Sequence, residues 1–441
     1  MNAQSTTDDE RRALYRKIGW RLIPLLIIVY ISAFIDRSNI AVAKLRFMGD
    51  IGLTEAAYGL GGGLFYLGYC LFEVPSNLLL AKIGAKRTIM RIMILWSLCS
   101  AAFALITQPW HFFGLRFLLG AAEAGLFPGV LFFLSQWAPA SRRAGFTALF
   151  MSAMALSGVL TGPISGAIMA STDGVGGLHA WQWLFLLEGL PGVALAIIVY
   201  FCLTDAPSQA KWLSDSEKAA VKADLDAEAA AKTKTASATW TAVFRDKRFY
   251  ALAFMAMALI GTINGITLWV PTVIKQSGVR GILQVSLLSS VPYICAVVVQ
   301  QIIARRSDRR QERTLHAAIP ALVAAAGWFL LPQLKDSVPL ALGCLCLIAG
   351  ATFGATGPFW TMPASLLSGV ASATGIALVT TAGGIAAFVS PIIVGWAADR
   401  TGSLDAGLYF YGGLAGAAAV LLIALTHTKG LSELSKTTAA L

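Results

Sequence analysis

Residues 337–398 read SVPLALGCLCLIAGATFGATGPFWTMPASLLSGVASATGIALVTTAGGIAAFVSPIIVGWAA and contain no charged side chain. A helix of about 20 apolar residues crosses the roughly 30 Å hydrocarbon core of a bilayer, so this stretch is far too long for one crossing. Pro358, Pro363 and Gly369 supply a break near its middle, because proline and glycine interrupt helices. The stretch therefore predicts two membrane-spanning helices in succession.

The composition of the whole chain has the same character. Of 441 residues, 57% are hydrophobic and only 13% are charged, and the mean hydropathy is +0.70. A soluble domain carries about a quarter charged residues, which excludes a cytosolic enzyme, a secreted disulfide scaffold and a disordered protein. An all-α integral membrane protein with many spans remains.

Residues that commonly hold metals or cofactors show no such pattern here. The six cysteines lie in apolar runs without a CxxC pair, and we interpret them as reduced, buried side chains. The four histidines lie at span ends or in loops without metal-ligand spacing. No phosphate-binding G-x-x-x-x-G-K-[ST] loop occurs. We expect no metal, no cofactor, no ATP site and no enzymatic constellation.

Apolar runs of membrane-crossing length recur along the chain and predict twelve helices in two sets of six. The predicted spans are 18–38, 57–81, 89–107, 111–135, 144–170, 183–203, 249–274, 282–304, 314–333, 338–360, 370–397 and 407–427.

The longest polar stretch, 204–248, separates the two sets of spans. It predicts a tail (1–17), a six-helix bundle (18–203), a cytoplasmic linker (204–248), a second bundle (249–427) and a tail (428–441). Within the linker, Ser214 followed by Glu217 is typical of a capping box that opens an amphipathic helix, KAAVKADLDAEAAAK. A duplicated plan of this kind favours a cavity between the halves near the bilayer midplane. We interpret the linker helix as a solvated tether.

The distribution of basic residues predicts the orientation in the membrane. Most of the 34 lysines and arginines fall on the side of the N-terminus when the spans are counted in order. Under the positive-inside rule both termini are cytoplasmic. Lys44 and Arg46 are assigned to the first outer loop. The net charge of +11 is then a topology signal rather than a sign of a nucleic-acid partner.

Charged residues inside the predicted spans are the candidates for function, since a charge at mid-bilayer costs about 3 kcal/mol or more. All of them lie in the first half: Asp36, Arg37, Glu73, Arg116, Glu123 and Glu188. Arg116 and Glu123 are seven residues apart, which places them on nearly one helix face. They suit an anion site beside a proton site, or else ion pairs that only tie spans together. Glu73 could exchange protons or could simply bond a neighbouring helix as a packed carboxylic acid. For Glu188 we favour a structural role.

Several motifs resemble those of the major facilitator superfamily, and within it the anion:cation symporter family. They are RFLLGAAEAGLFPG (116–129), IDRSNIAVA (35–43), EVPSN (73–77), GPFWTMP (357–363) and GWAADRTGS (395–403). The resemblance covers residues 15–430. It implies import of an organic anion with protons, with Arg37 and Arg116 lining the cavity and Asp36 and Glu123 coupling protons. It also implies that Tyr69 faces the substrate. The stretch NIAVAKLRFM (39–48) most resembles the branch that transports tartrate, phthalate and related carboxylates.

The chain departs from the family pattern at two places. In AKIGAKR (81–87), Ala81 stands where an acidic residue usually precedes the basic one, so the inner gate is expected to be weaker on this side. Thr380 and Gly384 replace two amides that hold sugar hydroxyls in many relatives, which favours a smaller or more apolar carboxylate over a sugar acid. The resemblance assigns the inner gate to these residues: Lys82, Lys86, Arg87, Asp308 and Arg309.

The predicted mechanism is alternating access in a proton-coupled symporter. Arg116, with Arg37 nearby, would bind the substrate carboxylate through a guanidinium fork. Tyr66, Tyr69, Trp269 and Trp360 would form a partly apolar wall, with Asn264 and Thr361 as polar contacts. Glu123 and Asp36 would take up protons, because burial favours the neutral form of a carboxyl.

The expected partners are a small organic anion, protons and the lipid bilayer, around a monomer in a bacterial inner membrane. A sugar-acid transporter of the same family, and an exporter or exchanger of organic anions, are the alternatives.

Overall fold

The computed structural model describes residues 2–232, 247–366 and 370–426. Its helices, in chain order, are as follows: α1 Asn2–Ile51, α2 Glu55–Ile83, α3 Ala85–Ala102, α4 Pro109–Glu123, α5 Leu126–Trp137, α6 Ala140–Ser171, α7 Ala180–Gly189, α8 Pro191–Cys202, α9 Asp215–Lys232, α10 Lys247–Gln276, α11 Ile282–Arg310, α12 Thr314–Leu334, α13 Val338–Leu366, α14 Val370–Thr401 and α15 Asp405–Thr426. Short 3-10 turns join some of them, and the described ranges contain no strand.

Twelve stretches of these helices are long and apolar enough to cross a membrane. The all-α class is therefore confirmed. The twelve stretches coincide with the predicted spans to within a few residues at most ends. The largest difference in bounds lies in the first span, and the fourth span is divided between two helices.

Helix α1 continues far beyond the predicted end of the first span at residue 38. It reaches Ile51, so the assignment of Lys44 and Arg46 to an outer loop was wrong. Residues 39–51 keep an apolar face, and Ile40, Val42 and Phe47 are fully buried. Their burial stabilises the extra turns, since helices in proteins are held mainly by tertiary packing.

The fourth span is not one helix. Helix α4 ends at Glu123 and α5 begins at Leu126, with Gly125 between them in the left-handed conformation (φ +88°). A Cβ atom at Gly125 would lie 2.6 Å from the Ser76 hydroxyl, so both the backbone angle and the space require glycine. The break leaves Glu123 at the end of a helix within the membrane span.

The linker helix α9 docks on the first half of the chain. Its Glu217 pairs with Lys17 at 2.8 Å, and its Glu228 pairs with Arg143 at 3.4 Å. Val221 on the docked face is completely buried. The predicted capping box is confirmed, because Ser214 and Glu217 exchange side-chain to backbone hydrogen bonds of 2.8 and 3.2 Å. We call this side of the bundle the linker side and the opposite one the far side.

The two halves meet at the far side. The N–H groups of Glu55 and Ala56 at the start of α2 donate to the two carboxylate oxygens of Asp399 on α14, each at 3.0 Å. Gly59 and Gly395 give further close backbone contacts between these two helices. The small residues allow the helices to approach closely, as is common in membrane bundles.

Lys44 closes the far side between α1 and α10. Its ammonium lies 2.6 Å from Glu55, donates to the Thr272 hydroxyl at 3.1 Å, and lies over the rings of Tyr58 and Trp269 at 4.6 and 4.2 Å. A buried cation with both a carboxylate and two aromatic faces is well compensated. We call the contacts of Lys44, Asp399 and their partners the far-side seal.

Toward the linker side the halves separate. The contacts between α2 and α14 extend as far as Cys70 and Gly384, and beyond them Val74, Leu78 and Thr380 are exposed. Within the described ranges, the hydrogen bonds that join the two halves all belong to the far side. This is therefore a conformation open toward the linker side.

Candidate functional site: a buried ion pair in the first half

The central feature of the site is an ion pair between α1 and α4. Arg37 donates to a carboxylate oxygen of Glu123 at 2.6 Å. The Glu123 side chain is 1% exposed, whereas that of Arg37 is 18% exposed. The carboxylate of the pair is therefore enclosed by protein, whereas the guanidinium remains partly accessible.

Aromatic rings hold the Arg37 guanidinium in place. It lies over Phe34 and Phe65, each at 4.8 Å, and over Tyr69 at 5.6 Å. Arginine suits this position because its planar guanidinium stacks on rings while its edge donates hydrogen bonds.

Arg116 lies beside this pair on α4 and contacts the ring of Phe65, as Arg37 does. Its guanidinium is 4.9 Å from the Phe65 centroid, and its Nε donates to the carbonyl of Gly61 at 3.2 Å. The residue is 2% exposed. The two arginines thus both contact Phe65, and Glu123 pairs with Arg37 rather than with Arg116, its neighbour on the same helix.

The tyrosines and Trp360 of the predicted wall remain partly accessible. Tyr66, Tyr69 and Trp360 are of intermediate exposure. Thr361 is exposed, with its hydroxyl donating back to the Pro358 carbonyl at 2.7 Å.

Two other residues predicted for the wall lie elsewhere in this conformation. Trp269 is completely buried in the far-side seal, against Lys44 and Tyr58. Asn264 is 4% exposed and donates to the Ala387 carbonyl at 3.0 Å, which ties α10 to α14. Their types fitted a polar and aromatic wall, but Trp269 packs against the first half and Asn264 bonds within the second half.

The other acids predicted within the spans do not pair with Arg37. Asp36 accepts a hydrogen bond from Ser100 at 2.8 Å, and Glu188 accepts one from Ser165 at 2.7 Å. Glu73 is of intermediate exposure on α2, at the linker side, and the structure gives its carboxylate no ion pair among the described residues.

The predicted gate residues are found apart at the linker side. Lys82 and Arg87 are exposed, and Lys86 lies over the Tyr200 ring at 4.3 Å within the first half. In the second half Asp308 pairs with Arg313 at 2.5 Å and Arg309 is exposed. The two groups of residues are not joined by an ion pair in the part of the chain described, as expected of a conformation open on this side.

A small cavity lies between the halves, one turn along α1 from Arg37. Its volume is about 30 Å³, which is room for one or two water molecules. The hydroxyl groups of Ser38, Thr161, Thr267 and Tyr293 are among its lining. Helices of both halves thus contribute hydrogen-bonding groups next to the ion pair.

The electrostatics of the two halves differ. The fully buried charged residues that the structure describes are all in the first half: Asp36, Lys44, Arg116, Glu123 and Glu188. Lys44 was missed as an intramembrane charge because α1 was expected to end before it; the apolar run NIAVA that precedes it was the available signal. Among the described residues, no group of three or more His, Cys, Asp or Glu could hold a metal. The arrangement suits binding of an anion and exchange of protons.

Comparison with known proteins agrees with this architecture. Residues 26–391 match the profile of the Major Facilitator Superfamily. The chain is 43% identical over 423 residues to an Agrobacterium vitis protein named "Putative tartrate transporter", covering 96% of this chain and 93% of that protein. It is 40% identical over 402 residues to a "Quinolone resistance transporter" of Acinetobacter baumannii, covering 91% of this chain and 92% of that protein.

A solved structure shows the same fold. The crystal structure of a D-xylose-proton symporter superposes with a TM-score of 0.74, covering 91% of this chain and 97% of that one, at 14% sequence identity. Twelve apolar helices, a profile match over most of the chain and relatives that are transporters along their whole length lead to one conclusion. The chain is a multi-pass membrane transporter, not an enzyme, and belongs to the Major Facilitator Superfamily.

Proposed function

We propose that this protein is a proton-coupled symporter that imports an organic carboxylate by alternating access. The observation that carries the proposal is the Arg37–Glu123 ion pair, in which a partly accessible guanidinium is held by a buried carboxylate. A carboxylate substrate and Glu123 would compete for the same donor. Protonation of Glu123 would then free Arg37 for the substrate, which links the two ligands.

The second arginine completes the anion site in this proposal. Arg116 uses its Nε on the Gly61 carbonyl, so its terminal nitrogens keep donors for a ligand. A guanidinium binds a carboxylate through two parallel hydrogen bonds, which a lysine ammonium cannot reproduce. A coupling between substrate and proton of about 1–3 kcal/mol is the usual scale for such linked sites.

Orientation in the membrane decides which compartment the described conformation opens to. The positive-inside rule places the termini and the linker side in the cytoplasm of a bacterial inner membrane. The conformation described here then opens to the cytoplasm, where substrate and protons would leave. Rocking of the halves would break the far-side seal and open the site to the outside.

The relatives support the substrate class. One relative is named for tartrate, a small hydroxylated dicarboxylate. Thr380 and Thr381, both exposed on α14, supply hydroxyls rather than amides on the linker side. A short dicarboxylate, a hydroxy acid or an aromatic acid is the cargo we favour over a long sugar acid.

Uptake into proteoliposomes tests this function. The purified protein would be offered phthalate, hydroxyphenylacetate, tartrate, malate, galactonate and glucarate, with and without an inward proton gradient. We expect one class of small carboxylate to accumulate only with the gradient. Equilibration without accumulation would contradict symport and indicate a uniporter or an exchanger.

Arg116→Lys tests the anion site in the same vesicles. We expect binding of the accumulated acid to weaken at least tenfold, because the fork geometry is lost while the charge is kept. Arg280→Lys, at an exposed position, is the matched control. Near-normal affinity of the Arg116 variant would remove Arg116 from the site.

Export is the second candidate, favoured by the relative named for quinolone resistance. An exporter would use the same anion site as the proposed importer but would move the substrate in the opposite direction. Accumulation in inverted vesicles with the proton gradient reversed, and none in right-side-out vesicles, would indicate an exporter.

A further inference from the structure

Two buried carboxyl groups lie outside the Arg37–Glu123 pair. Asp36 on α1 is 1% exposed and Glu188 at the end of α7 is 8% exposed. Neither forms an ion pair with any residue that the structure describes. An ionised carboxylate buried without a cation is strongly disfavoured, so these acids need another explanation.

Each of the two acids is only half satisfied. Ser100 donates to one Asp36 oxygen at 2.8 Å and Ser165 donates to one Glu188 oxygen at 2.7 Å. The second oxygen of each carboxyl, Oδ2 of Asp36 and Oε2 of Glu188, is buried without a hydrogen-bond partner. Buried polar atoms are rarely left in this state, so each free oxygen marks a place for a further hydrogen.

Packing brings the two acids into one polar pocket between α1, α3, α6 and α7. The Ser100 hydroxyl that bonds Asp36 also lies against Gly189, next to Glu188, where a Cβ atom would approach it to 3.0 Å. Asn39, one turn along α1 from Asp36, faces Glu188. Asn39 is completely buried, and neither of its amide atoms makes a hydrogen bond of good geometry. Its amide therefore adds two unpartnered polar atoms beside Glu188.

The charged groups around the pocket are negative. Asp36 lies within range of electrostatic repulsion from Glu188 and Glu123, with Ser100 and Trp96 of α3 beside it. Arg37, adjacent to Asp36 in sequence, is occupied by Glu123. Two carboxylates in one apolar site cannot both be ionised without a large energetic penalty, and sharing of protons is the usual solution.

We propose that Asp36 and Glu188 together form a proton-binding site, separate from the Arg37–Glu123 pair, whose proton is carried in every transport cycle. The proton binds at Asp36 Oδ2 or Glu188 Oε2 and is released to water as the carboxylate reforms, so only an O–H bond is made and broken. The inference rests on the proposed symport and adds a second acid, Glu188, to its coupling. Two separate proton sites would allow a dianionic cargo to be accompanied by more than one proton.

The number of coupled protons is measurable as a slope. With the membrane potential clamped at zero, the logarithm of the equilibrium accumulation ratio rises with the pH difference, and its slope equals the number of protons carried per substrate. We expect Glu188→Gln, which mimics the protonated acid, to lower this slope by one while retaining substrate exchange at zero gradient. Glu188→Asp, which keeps a carboxyl, should retain the wild-type slope.

Asp226→Asn, which neutralises an exposed acid on α9, is the matched control and should leave the slope unchanged. A wild-type slope in Glu188→Gln that still exchanges substrate would overturn the assignment of Glu188. If Glu188→Gln does not fold, Ser165→Ala is the second variant, and we expect it to shift the pH dependence of uptake at unchanged exchange rate.

Failure of the underlying function would look different. A wild-type protein with zero slope would refute proton symport itself, whatever the variants do. Accumulation by the wild type that follows a sodium gradient at constant pH would also overturn the proposal, because the pocket would then hold a sodium ion.

Discussion

At the scale of single residues, the ion-pair partner of Glu123 determines which arginine a proton on Glu123 would release in the proposed site. Spacing on one helix brought Arg116 and Glu123 onto one face, yet the hydrogen bond goes to Arg37 on another helix at 2.6 Å. The intramembrane charges were visible in the sequence because each is costly in lipid. Which charges pair was not visible in the sequence, because the pairing depends on how uncharged side chains around Phe65 pack α1 against α4.

Glu123→Gln tests the role of this carboxyl. The amide keeps the size of the side chain but carries no charge, so Arg37 is left free as it would be beside a protonated acid. We expect exchange of substrate between equal concentrations to stay within about threefold of wild type and pH-driven accumulation to fall at least tenfold, a change of about 1.4 kcal/mol. Both are measured in the uptake vesicles.

Asp405→Asn, at the opposite end of the molecule in a surface pair with Lys335 at 2.7 Å, is the control. If the Gln variant still concentrates substrate under a proton gradient, Glu123 is not a coupling acid.

At the scale of elements, the sequence predicted which segments are helices better than where they bend or end. The twelve apolar runs followed directly from length and hydropathy. The break at Gly125 was hidden inside an apolar run, because one glycine in a span rich in glycine carries no special signal. The space for a side chain there is taken by Ser76, a residue of α2, so part of the requirement for glycine comes from a distant segment.

The linker helix is less free than its sequence suggested. The sequence predicts that its charged face is exposed to solvent, but three of its acids form ion pairs with basic residues of the first half: Glu217, Asp224 and Glu228. Trp212, just before it, stacks on Trp137 with ring centroids 5.5 Å apart. Surface pairs of this kind contribute about 0.2–1 kcal/mol each, so the docking depends on several acting together.

Docking of α9 should weaken in acid. Hydrogen bonds from Lys17 and from the Ser214 backbone hold the pKa of the Glu217 carboxyl below its ordinary value of 4.5. Because this pKa is lower in the docked state, the ionised Glu217 carboxylate contributes fully to docking at pH values above its ordinary pKa. This contribution is lost as the pH falls through the lowered pKa.

Hydrogen exchange in α9, corrected for the intrinsic rate at each pH, measures this effect. We expect constant protection between about pH 5 and 8 and a decline below about pH 4. Glu217→Gln should remove part of that decline, and Asp226→Asn on the same helix should not. Identical pH profiles for the wild type and Glu217→Gln would contradict the role of this pair.

At the scale of the whole molecule, the relative position of the halves could not be derived from the sequence. Two conformations that open on opposite sides use the same spans and the same apolar faces. Their difference lies in a few contacts such as Lys44 with Thr272 and Asp399 with the start of α2. Trp269 belongs to such state-dependent packing, because it lies against Lys44 and Tyr58 of the first half, whereas Asn264 is held within the second half by the Ala387 carbonyl.

Asp399→Ala should shift the balance between the two conformations. It removes both carboxylate acceptors from the first N–H groups of α2, and loss of such a cap costs about 1 kcal/mol. The population open to the far side should then rise about fivefold relative to the state described here.

Distances between spin labels at positions 174 and 278, in exposed far-side loops of the two halves, would report this change. Asp336→Asn, another exposed far-side acid, is the matched control. An unchanged distance distribution in Asp399→Ala would show that the seal does not depend on this carboxylate.

The confinement of buried charges to the first half has a consequence for how such a protein diversifies. The first half carries the ionisable machinery, and its buried groups depend on one another for compensation, so a change at one of them disturbs the rest. In the proposed site the second half contributes neutral side chains such as Trp360 and Thr361, which tolerate replacement singly. In the proposed symport, a change of cargo is therefore least disruptive in residues 247–426, whereas a substitution among the buried charges of residues 2–232 would disturb proton coupling as well.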